Sequence, residues 1–330
     1  MKRRALAALL GAYLLAGCAS LGATPSATVA PSNPQAAVTS PPDGRIAFSR
    51  IVFDQATKQP TGGDLWMIAT DGSDLVQLTD LPEIELFPAW SPDGQRLAFV
   101  RLPGMESGDI WLIDADPTAA DRHLTQLTDG AGLEAAPAWS PDGRSIAYVD
   151  DWQGAPSVWI RSADGTGEAR RVVDGNWPSW TPDGTRLLVT VGADFTKTQL
   201  AYVDVEGGEL DNLPIQLPNA SEAAVSPLGE IAFVSSATNY ADDDPSTWNE
   251  EIYTTGPDGV PGPTRLTNTP ENDHWPPSWS PAGDWLAYTN DLGTSGSRIA
   301  IILPTGEPIY LTDGAYDSFP AWRPEPAAMP

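Results

Sequence analysis

The sequence predicts an all-β fold, and three observations support this prediction. A phrase of the form aromatic-Pro-x-Trp-Ser-Pro-Asp-Gly recurs with one or two substitutions, and its clearest copies are 87–94, 136–143, 177–184 and 276–283. A short apolar run follows each copy, and no later segment is patterned as a long helix. Self-similarity at spacings of about 40 to 55 residues is typical of proteins built from structural repeats.

Each repeat contains signals for four short strands, which we name A to D in chain order. Strand A ends at the tryptophan, and the Pro, Asp and Gly that follow suit successive positions of a type I turn. Strand B is the apolar run, as at 97–100, and strand C carries a motif such as Asp-Ile-Trp, as at 109–111. Strand D often ends in Leu-Thr and follows a hairpin signal such as Asp-Gly in several repeats. Four antiparallel strands per repeat describe the blade of a β-propeller.

The number of strand signals predicts the number of blades. Strands B to D occur six times, whereas the first repeat lacks strand A and a copy at 319–323 is left over at the end of the chain. We therefore expect a six-bladed β-propeller of four-stranded antiparallel blades. The C-terminal strand is expected to close the ring by pairing with the first blade near Ile46, which would leave no exposed sheet edge there.

The order of the motifs resembles the TolB-type, WD40-like propeller repeat. Trp-Ser-Pro-Asp-Gly, Ile-Ala-Phe, Asp-Ile-Trp and Leu-Thr recur in that order over nearly all of the expected propeller, residues 42–326. The resemblance implies the propeller fold. It does not imply a role in a Tol-type system, because TolB carries a separate N-terminal α/β domain where this sequence has only a tether.

The amino-terminal pattern predicts a bacterial lipoprotein signal. Residues 1–4 are basic and residues 5–16 are apolar, a run too short to span a bilayer as a permanent helix. The following Leu-Ala-Gly-Cys resembles a lipobox, so a signal peptide at 1–17 and lipid on Cys18 are expected. An ordinary secretory signal with an incidental cysteine is the alternative. Cys18 is the only cysteine, so no internal disulfide can form.

Three further segments complete the expected organisation. Residues 18–41 are rich in Ala, Ser, Thr and Pro without charge, a composition that favours a disordered tether. The propeller follows at 42–326, and residues 327–330 form a short tail. The expected location is outside the cytoplasm, with the lipid anchored in the cell envelope, either periplasmic or at the cell surface.

The charge balance narrows the class of partner. The chain has 44 acidic and 18 basic residues, which gives a formal net charge of −26. A surface of this sign repels phosphate backbones, so nucleic-acid binding is not expected. Cations, basic partners and neutral glycans remain compatible with it, and so does a purely solubilising role.

Acidic residues just before strand A form the first candidate site. The B–C and D–A connections share one face of a propeller, which we call the loop face, and strand A is innermost. We expect the side chains about five residues before the strand-A tryptophans to ring the channel mouth, with Glu222 near the corresponding point of the fifth repeat. These channel-mouth candidates are Glu85, Glu134, Asp273, His274 and Asp317. Glu85, Glu134 and Asp317 could hold Ca²⁺ or a basic peptide, and a solvated acidic rim is the alternative; no other cofactor is expected.

Tryptophans form the second candidate site. Eight of the thirteen occupy repeat positions, where packing between blades is expected. Four others fall in B–C or D–A connections on the loop face: Trp152, Trp177, Trp248 and Trp275. Indoles at such positions anchor partner proteins or stack on sugars. The alternative is that they simply close over loops and blade edges.

The sequence thus favours an envelope-anchored lipoprotein, expected as a monomer, that binds a protein or peptide without catalysis through its loop face and channel mouth. A glycan-binding module is the second hypothesis. A propeller hydrolase, such as a glycosidase with two opposed carboxylates, is the third. An enzyme is disfavoured because the sequence contains no Gly-x-Ser-x-Gly motif, no His/Cys metal cluster and only two histidines, His123 and His274.

Overall fold

The structure, a computed structural model, describes residues 41–325 except 55, 58, 105–106, 117, 119–121, 153, 193–196, 237–248 and 305. The predictions for the signal peptide, Cys18, nearly all of the tether, the 327–330 tail and Trp248 fall outside the described residues. Within the described part, the chain forms 24 strands and one 3₁₀ turn, Gly293–Ser295. That part contains no helix with the length and apolar character needed to cross a membrane.

The strands follow the repeat. The innermost strands, which correspond to strand A, are β4 (Ile84–Trp90), β8 (Ala135–Trp139), β12 (Asn176–Trp180), β16 (Ser221–Val225), β20 (Asn272–Trp279) and β24 (Asp317–Trp322). Those corresponding to strand B are β1 (Arg45–Phe53), β5 (Arg96–Gly104), β9 (Ser145–Asp150), β13 (Arg186–Val191), β17 (Ile231–Ser235) and β21 (Leu286–Asp291).

The outer strands are more uneven in length. Those corresponding to strand C are β2 (Pro60–Ala69), β6 (Ser107–Asp114), β10 (Ser157–Ser162), β14 (Gln199–Asp204), β18 (Glu251–Thr255) and β22 (Ser297–Ile302). Those corresponding to strand D are β3 (Val76–Gln77), β7 (Thr125–Gln126), β11 (Arg170–Asp174), β15 (Asp211–Asn212), β19 (Thr264–Arg265) and β23 (Ile309–Tyr310).

The strands are arranged in five sheets, so the prediction of six separate four-stranded blades is wrong. Four sheets stand as separate four-stranded antiparallel blades, β8 to β11, β12 to β15, β16 to β19 and β20 to β23. The fifth sheet has eight strands in the order β24-β1-β2-β4-β5-β6-β7, with β3 paired to β2. Among the described strands, no sheet closes on itself.

A single parallel contact merges the first two repeats into the eight-stranded sheet. The ten-residue strand β2 passes beside the start of β4, where Gly63 pairs with Ile84. A Cβ on Gly63 would lie only 3.2 Å from Ile84 Cγ2, so glycine permits the close approach. The same kind of contact recurs before the third repeat only as an isolated bridge between Gly108 and Leu133. Repeat counting could not show this merger, because the repeat pattern carries no information about pairing between neighbouring repeats.

The carboxyl-terminal strand β24 lies at the edge of the eight-stranded sheet, antiparallel to β1. Ile46 faces Trp322 in this pairing, and Arg50 faces Asp317. The Arg50 guanidinium donates two hydrogen bonds to the Asp317 carboxylate, at 2.6 and 2.8 Å. Because the Asp317 side chain is completely buried, this bidentate ion pair compensates a charge that would otherwise be costly.

The strands corresponding to strand B supply the most deeply buried side chains. Phe48, Phe99, Phe233 and Tyr288 come from β1, β5, β17 and β21, and none is exposed to solvent. Burying a side chain of this size contributes roughly 2–3 kcal/mol each. These strands read as continuous apolar runs because both of their faces are covered by neighbouring sheets.

The recurring tryptophan connects neighbouring innermost strands. In four of these strands the indole N–H donates to a backbone carbonyl of the preceding innermost strand, at 3.0–3.1 Å. The pairs are Trp90 with Ala321, Trp139 with Ala89, Trp180 with Ala138 and Trp279 with Ala224. The turn after the tryptophan is equally regular, since Ser91, Ser140 and Thr181 each donate to the aspartate two residues later at 2.6 Å. The repeated phrase is therefore scaffold.

Candidate functional site

One conformational feature recurs in all six innermost strands and determines which side chains turn towards the channel between them. In each strand one non-glycine residue has a φ of +49° to +66°, and pairing with strand B changes register at this point. We call these the bulge residues: Phe87, Ala136, Trp177, Glu222, Trp275 and Phe319. A β-bulge redirects a side chain, and a positive φ is strained for bulky residues. The chain therefore accepts backbone strain at six positions around one axis.

Four aromatic bulge residues and one tryptophan from a connection form an aromatic cluster. Its members are Phe87, Trp152, Trp177, Trp275 and Phe319, each between 5 and 8% exposed. Ring centroids are 4.2 Å apart for Phe87 and Phe319, 4.7 Å for Trp275 and Phe319, and 6.0 Å for Trp177 and Trp275. Trp152 meets Phe87 and Trp177 edge-on, at 5.4 and 5.7 Å. These separations are those of interacting aromatic pairs.

A cavity of about 100 Å³ lies against this cluster, and all six innermost strands contribute to its wall. Phe87, Trp177 and Phe319 form part of the wall, together with the prolines that follow them and Pro137, Pro276 and Ala223. Proline has no backbone N–H, so this lining offers few donors. An apolar cavity with a small number of polar groups is the usual form of a binding site.

The four acidic channel-mouth candidates are held by side chains of adjacent strands and of the connections that precede their own strands. Glu85, Glu134, Asp273 and Asp317 each lie two residues before a bulge residue and are 0–3% exposed. Thr79 Oγ1 donates to Glu85 at 2.9 Å and accepts from the Leu65 backbone at 2.8 Å. Thr79 lies in the connection before β4, and Glu134 has the equivalent partner in Thr128, which follows β7 of the eight-stranded sheet.

Equivalent contacts hold the other acids. Asn290 Nδ2 and Thr269 Oγ1 donate to Asp273 at 2.8 and 3.0 Å, and Asp317 is paired with Arg50 as described above. The geometry therefore does not bring Glu85, Glu134 and Asp317 together as a candidate Ca²⁺ site. Among the described residues, no group of three or more His, Cys, Asp or Glu side chains is arranged to hold a metal ion.

Burial changes the acidity of three of these groups. It raises the pKa of Glu85 to about 8, that of Glu134 to about 7 and that of Asp273 to about 6, while hydrogen bonds from threonine or asparagine side chains oppose the rise. Glu85 Oε1 and Glu134 Oε2 are buried without a hydrogen-bond partner among the described residues. Burial therefore favours the protonated form of both carboxyl groups.

His274 does not occupy the position that counting back from the tryptophan predicts. Two residues lie between Phe87 and Trp90, but three lie between Trp275 and Trp279, because β20 contains an additional residue. Asp273 is therefore the equivalent of Glu85, and His274 lies one position later. Its Nδ1 is 3.4 Å from Glu250 Oε2 and its Nε2 is 3.6 Å from Asp291 Oδ2.

The charges around His274 control its protonation. Burial by itself lowers the pKa of His274, but a hydrogen bond with Glu250 and the negative charges of Asp291 and Glu222 raise it to about 9. His274 is consequently protonated at neutral pH. Its imidazole lies among the carboxyl groups of Glu250, Asp291 and Glu222.

The sequence-based reasoning largely missed Glu222, which takes the bulge position of β16. Its carboxylate accepts a hydrogen bond from the Trp275 backbone N–H, while Oε2 is buried and has no partner among the described residues. Burial, followed by the charge of Glu250, raises the pKa of Glu222. Its spacing could have identified it. Val225 takes the position of Trp90 in the fifth repeat, and Glu222 stands three residues before Val225 as Phe87 stands three residues before Trp90.

The tryptophan candidates also need correction. Trp152 lies in the connection after β9, as expected, but Trp177 and Trp275 belong to β12 and β20 and not to connections. All three are buried in the aromatic cluster, which leaves only 6–8% of each exposed. Trp275 Nε1 has no hydrogen-bond partner in the described part of the chain. Trp248 lies outside that part.

Antiparallel sheets around a channel lined by their innermost strands define a β-propeller protein. Residues 65–241, just over half of the chain, match the family model described as the TolB beta propeller domain. The chain belongs to this family, which confirms the resemblance inferred from its repeated motifs.

Solved structures agree with this assignment at the level of the fold. The chain is similar to TolB from Acinetobacter baumannii with a TM-score of 0.67 and 23% identity, covering 86% of this chain and 67% of that one. It is similar to the putative TolB from Agrobacterium tumefaciens with a TM-score of 0.60 and 20% identity, covering 83% and 90%.

The repeat is shared with a protein named as a peptidase. A segment of 63 residues is 35% identical to Dipeptidyl-peptidase 5 from Porphyromonas gingivalis. The match covers 19% of this chain and spans only 9% of that protein's length. Membership in the propeller family therefore does not by itself exclude an enzyme.

Proposed function

We propose that this protein is a non-catalytic scaffold outside the cytoplasm that binds a protein or peptide segment at the loop-face end of its channel. The observation that carries the proposal is the aromatic cluster, in which four of the five rings come from strained bulges beside one cavity. Aromatic residues dominate the energetics of protein recognition sites. Strain retained at several positions is typical of sites where geometry serves binding. The TolB propeller fold supports the general role of a protein-binding scaffold.

Two features favour a peptide over a sugar. The indoles of Trp152, Trp177 and Trp275 pack against neighbouring rings, whereas stacking on a sugar requires an open ring face. The cavity wall is formed by aromatic rings, prolines and alanines, which suits an inserted side chain or chain end. A glycosidase is also less well supported, because Glu85, Glu134 and Asp317 do not face one another across a cleft.

The amino-terminal sequence supports a lipid anchor for this scaffold. We propose that residues 1–17 are removed and that Cys18 carries the lipid, which holds the protein at the cell envelope as a monomer on its tether. Cys18→Ser should move the protein from the membrane fraction to the soluble extracytoplasmic fraction, measured by fractionation and immunoblotting. Unchanged membrane residence of Cys18→Ser would reject the anchor but leave the binding site untouched.

Site-specific crosslinking tests the location of the binding site. A photo-crosslinking residue placed at Trp152, in the connection that completes the aromatic cluster, should capture a defined partner in intact cells. The matched control is the same residue at Leu228, which is 71% exposed in the turn between β16 and β17 on the opposite face. Capture from Leu228 alone would place the binding surface elsewhere.

The captured partner then allows an affinity measurement. Trp152→Ala should weaken its binding at least tenfold, whereas Leu228→Ala should leave it unchanged. Trp152→Phe keeps an aromatic ring in the cluster and is expected to fall between the two. Thermal unfolding of each variant separates loss of binding from loss of fold. Equal affinities for Trp152→Ala and the wild type would overturn the proposal.

A further inference from the structure

Strand C of one repeat meets the innermost strand of the next near the loop face at two points, which we call junctions. At the first junction, Gly63 of β2 pairs in parallel with Ile84 of β4. At the second, Gly108 of β6 forms a parallel bridge with Leu133, just before β8. The residues that follow a parallel pair lie next to each other. At both junctions those residues are acidic, so carboxyl groups from neighbouring repeats come together.

The first junction brings Asp64 and Glu85 into contact. The two side chains hydrogen-bond each other, and Glu85 is completely buried. Thr79 donates to Glu85 Oε2, whereas Oε1 has no donor among the described residues. Two ionised carboxylates can only accept hydrogen bonds, so a hydrogen bond between them requires that one of them keeps a proton. The contact is therefore a carboxyl pair that shares a proton.

The second junction has a similar arrangement of Asp109 and Glu134. Glu134 is only 3% exposed, and its Oε2 has no donor within the described part of the chain. The negative charges of Asp109 and Asp150 both act on its carboxyl group. The Glu134 backbone N–H donates to Gly108 O at 2.9 Å, so this hydrogen bond crosses the junction beside the two acids.

The contact between β1 and β24 shows how a cation compensates a buried acid at the equivalent position. Arg50 lies opposite Asp317 and donates two hydrogen bonds to its carboxylate. Arg101 lies opposite Glu85 but donates through Nε and Nη2 to Glu83. Glu85 therefore has an arginine opposite it without the bidentate ion pair, and its carboxyl group contacts the acid across the junction.

We propose that the two junctions are proton-dependent latches between neighbouring repeats. Each carboxyl pair holds strand C against the next innermost strand while it keeps a proton. When the proton passes to solvent, two negative charges face each other in a buried position and repel. The latch then opens at the loop-face end, while the turn end of the same strands keeps its contacts.

Burial sets the pH range of the latches. It raises the pKa of Glu85 to about 8 and that of Glu134 to about 7. The contribution of each latch is therefore complete below about pH 4.5 and is lost as the pH rises through these values. The other charged and titratable groups around the pairs are Asp80, Glu83 and Arg101 at the first and Asp129, Asp150 and Tyr148 at the second.

Short segments connect the latches to the cavity wall. Phe87 and Ala136 stand two residues after Glu85 and Glu134, and both line the cavity. Opening of a latch releases the start of the segment that carries one of these residues. We therefore expect partner binding to weaken as the pH rises from 6 to 9, a consequence that rests on the proposed function.

Asp64→Asn tests the shared proton. Removing the facing charge should lower the titration midpoint of the Glu85 carboxyl group by about one pH unit or more, measured by carbon-13 NMR of the side chain. The matched control is Asp80→Asn, which removes an equal charge at a nearby exposed position without breaking the pair. Its effect on the midpoint should be clearly smaller. A midpoint that Asp64→Asn leaves unchanged would overturn the carboxyl pair.

Amide hydrogen exchange of the wild-type protein tests the latch itself. Protection of the Glu134 N–H, corrected for the intrinsic effect of pH, should fall about tenfold or more between pH 6 and 9. The Ala163 N–H donates to Arg144 O at 2.9 Å at the turn end of the same blade, and its protection should change much less. Asp109→Asn should remove most of the difference. Equal losses at Glu134 and Ala163 would show global loosening and overturn the latch.

The latch and the proposed function fail separately, because titration and exchange need no partner. If Glu134 exchange does not respond to pH but a partner still depends on Trp152, the scaffold function stands and the latch is rejected. If the junction opens with pH but no partner depends on Trp152, the latch stands and the scaffold function is rejected. Equal partner affinities at pH 6 and 9 with an opening junction would reject the connection to the cavity.

Discussion

The two ends of the innermost strands differ in whether the same side chain recurs from strand to strand. At the turn end, a tryptophan recurs in five of the six strands, and in four of them it donates the same hydrogen bond to a neighbouring innermost strand. At the loop-face end, the bulge recurs with similar φ values, but the residue that occupies it changes from Phe to Ala, Trp or Glu. Side chains that pack between neighbouring strands are constrained by both neighbours, whereas four of the six bulge residues line the cavity and are free to differ. The backbone repeats at both ends, and the chemistry repeats at only one.

The pKa values of the acidic side chains also differ between these two ends. At the turn end, hydrogen bonds from Ser140 and Thr181 lower the pKa of Asp142 and lower that of Asp183 to about 2. Near the bulges, burial raises the pKa of Glu85 to about 8 and that of Glu134 to about 7. Asp142 and Asp183 are exposed and favour the ionised form, whereas Glu85 and Glu134 are buried and favour the protonated form.

Removing a repeat tryptophan should have the largest effect. Trp139→Ala deletes a buried indole and its hydrogen bond to Ala89, and a buried aromatic truncation of this kind costs about 3–5 kcal/mol. We expect the free energy of unfolding to fall by this amount in urea denaturation. Trp139→Phe keeps most of the buried ring and should lose roughly half as much. A loss below about 1 kcal/mol for Trp139→Ala would contradict the scaffold role.

The pH dependence of stability should come next in size and should originate at the bulge end. The folded-state pKa of Glu85 is raised above its unfolded value near 4.5, so the folded protein holds a proton that the unfolded chain releases. This contribution is fully present below about pH 4.5 and is lost as the pH rises through about 8. It amounts to a few kcal/mol on the order-of-magnitude scale of such shifts. Stability should therefore fall between pH 5 and 9 in thermal unfolding.

Glu85→Gln provides the control for this pH dependence, because glutamine keeps the hydrogen bond from Thr79 and cannot ionise. The variant should show a shallower decline over the same pH range. Asp183→Asn at the turn end should leave this range unaffected, because the pKa of Asp183 is lowered and its contribution is lost only as the pH falls through about 2. A decline that Glu85→Gln leaves unchanged would remove Glu85 as the source.

The backbone strain of the bulges should give the smallest effect. Ala136 has a φ of +49°, and this conformation costs an L-residue roughly 1–2 kcal/mol that glycine avoids. The greater flexibility of unfolded glycine offsets about 0.5–1 kcal/mol of this gain. Ala136→Gly should therefore stabilise the protein by up to about 1 kcal/mol in denaturant titration. Ala138→Gly, in the same strand at ordinary φ, should destabilise it, and similar losses at both sites would contradict the difference between the two ends.

The candidate site shows how far reasoning from sequence reaches. Glu85, Glu134 and Asp317 were recognisable as a recurring position, but their direction was not, because a bulge two residues later reverses the simple alternation of side chains along a strand. Counting back from Trp279 placed His274 at the recurring position and Asp273 only beside it, because the additional residue in β20 has no separate sequence signal. The aromatic cluster needs residues from β4, β12, β20, β24 and one connection, which no local pattern links.

The sequence by itself determined the repeat, the order of the strands, the turn after each tryptophan and the family. These features depend on local chemistry: the fixed φ of proline, the tolerance of glycine for positive φ, and the burial of alternating or continuous apolar runs. Only the tertiary structure decided that the first two repeats share one sheet, that the aromatic cluster assembles beside the channel, and that the acids are held by partners on adjacent strands and connections. Pairing between sheets and the direction of a side chain at a bulge depend on neighbours distant in sequence, so they become visible only when those neighbours are in place.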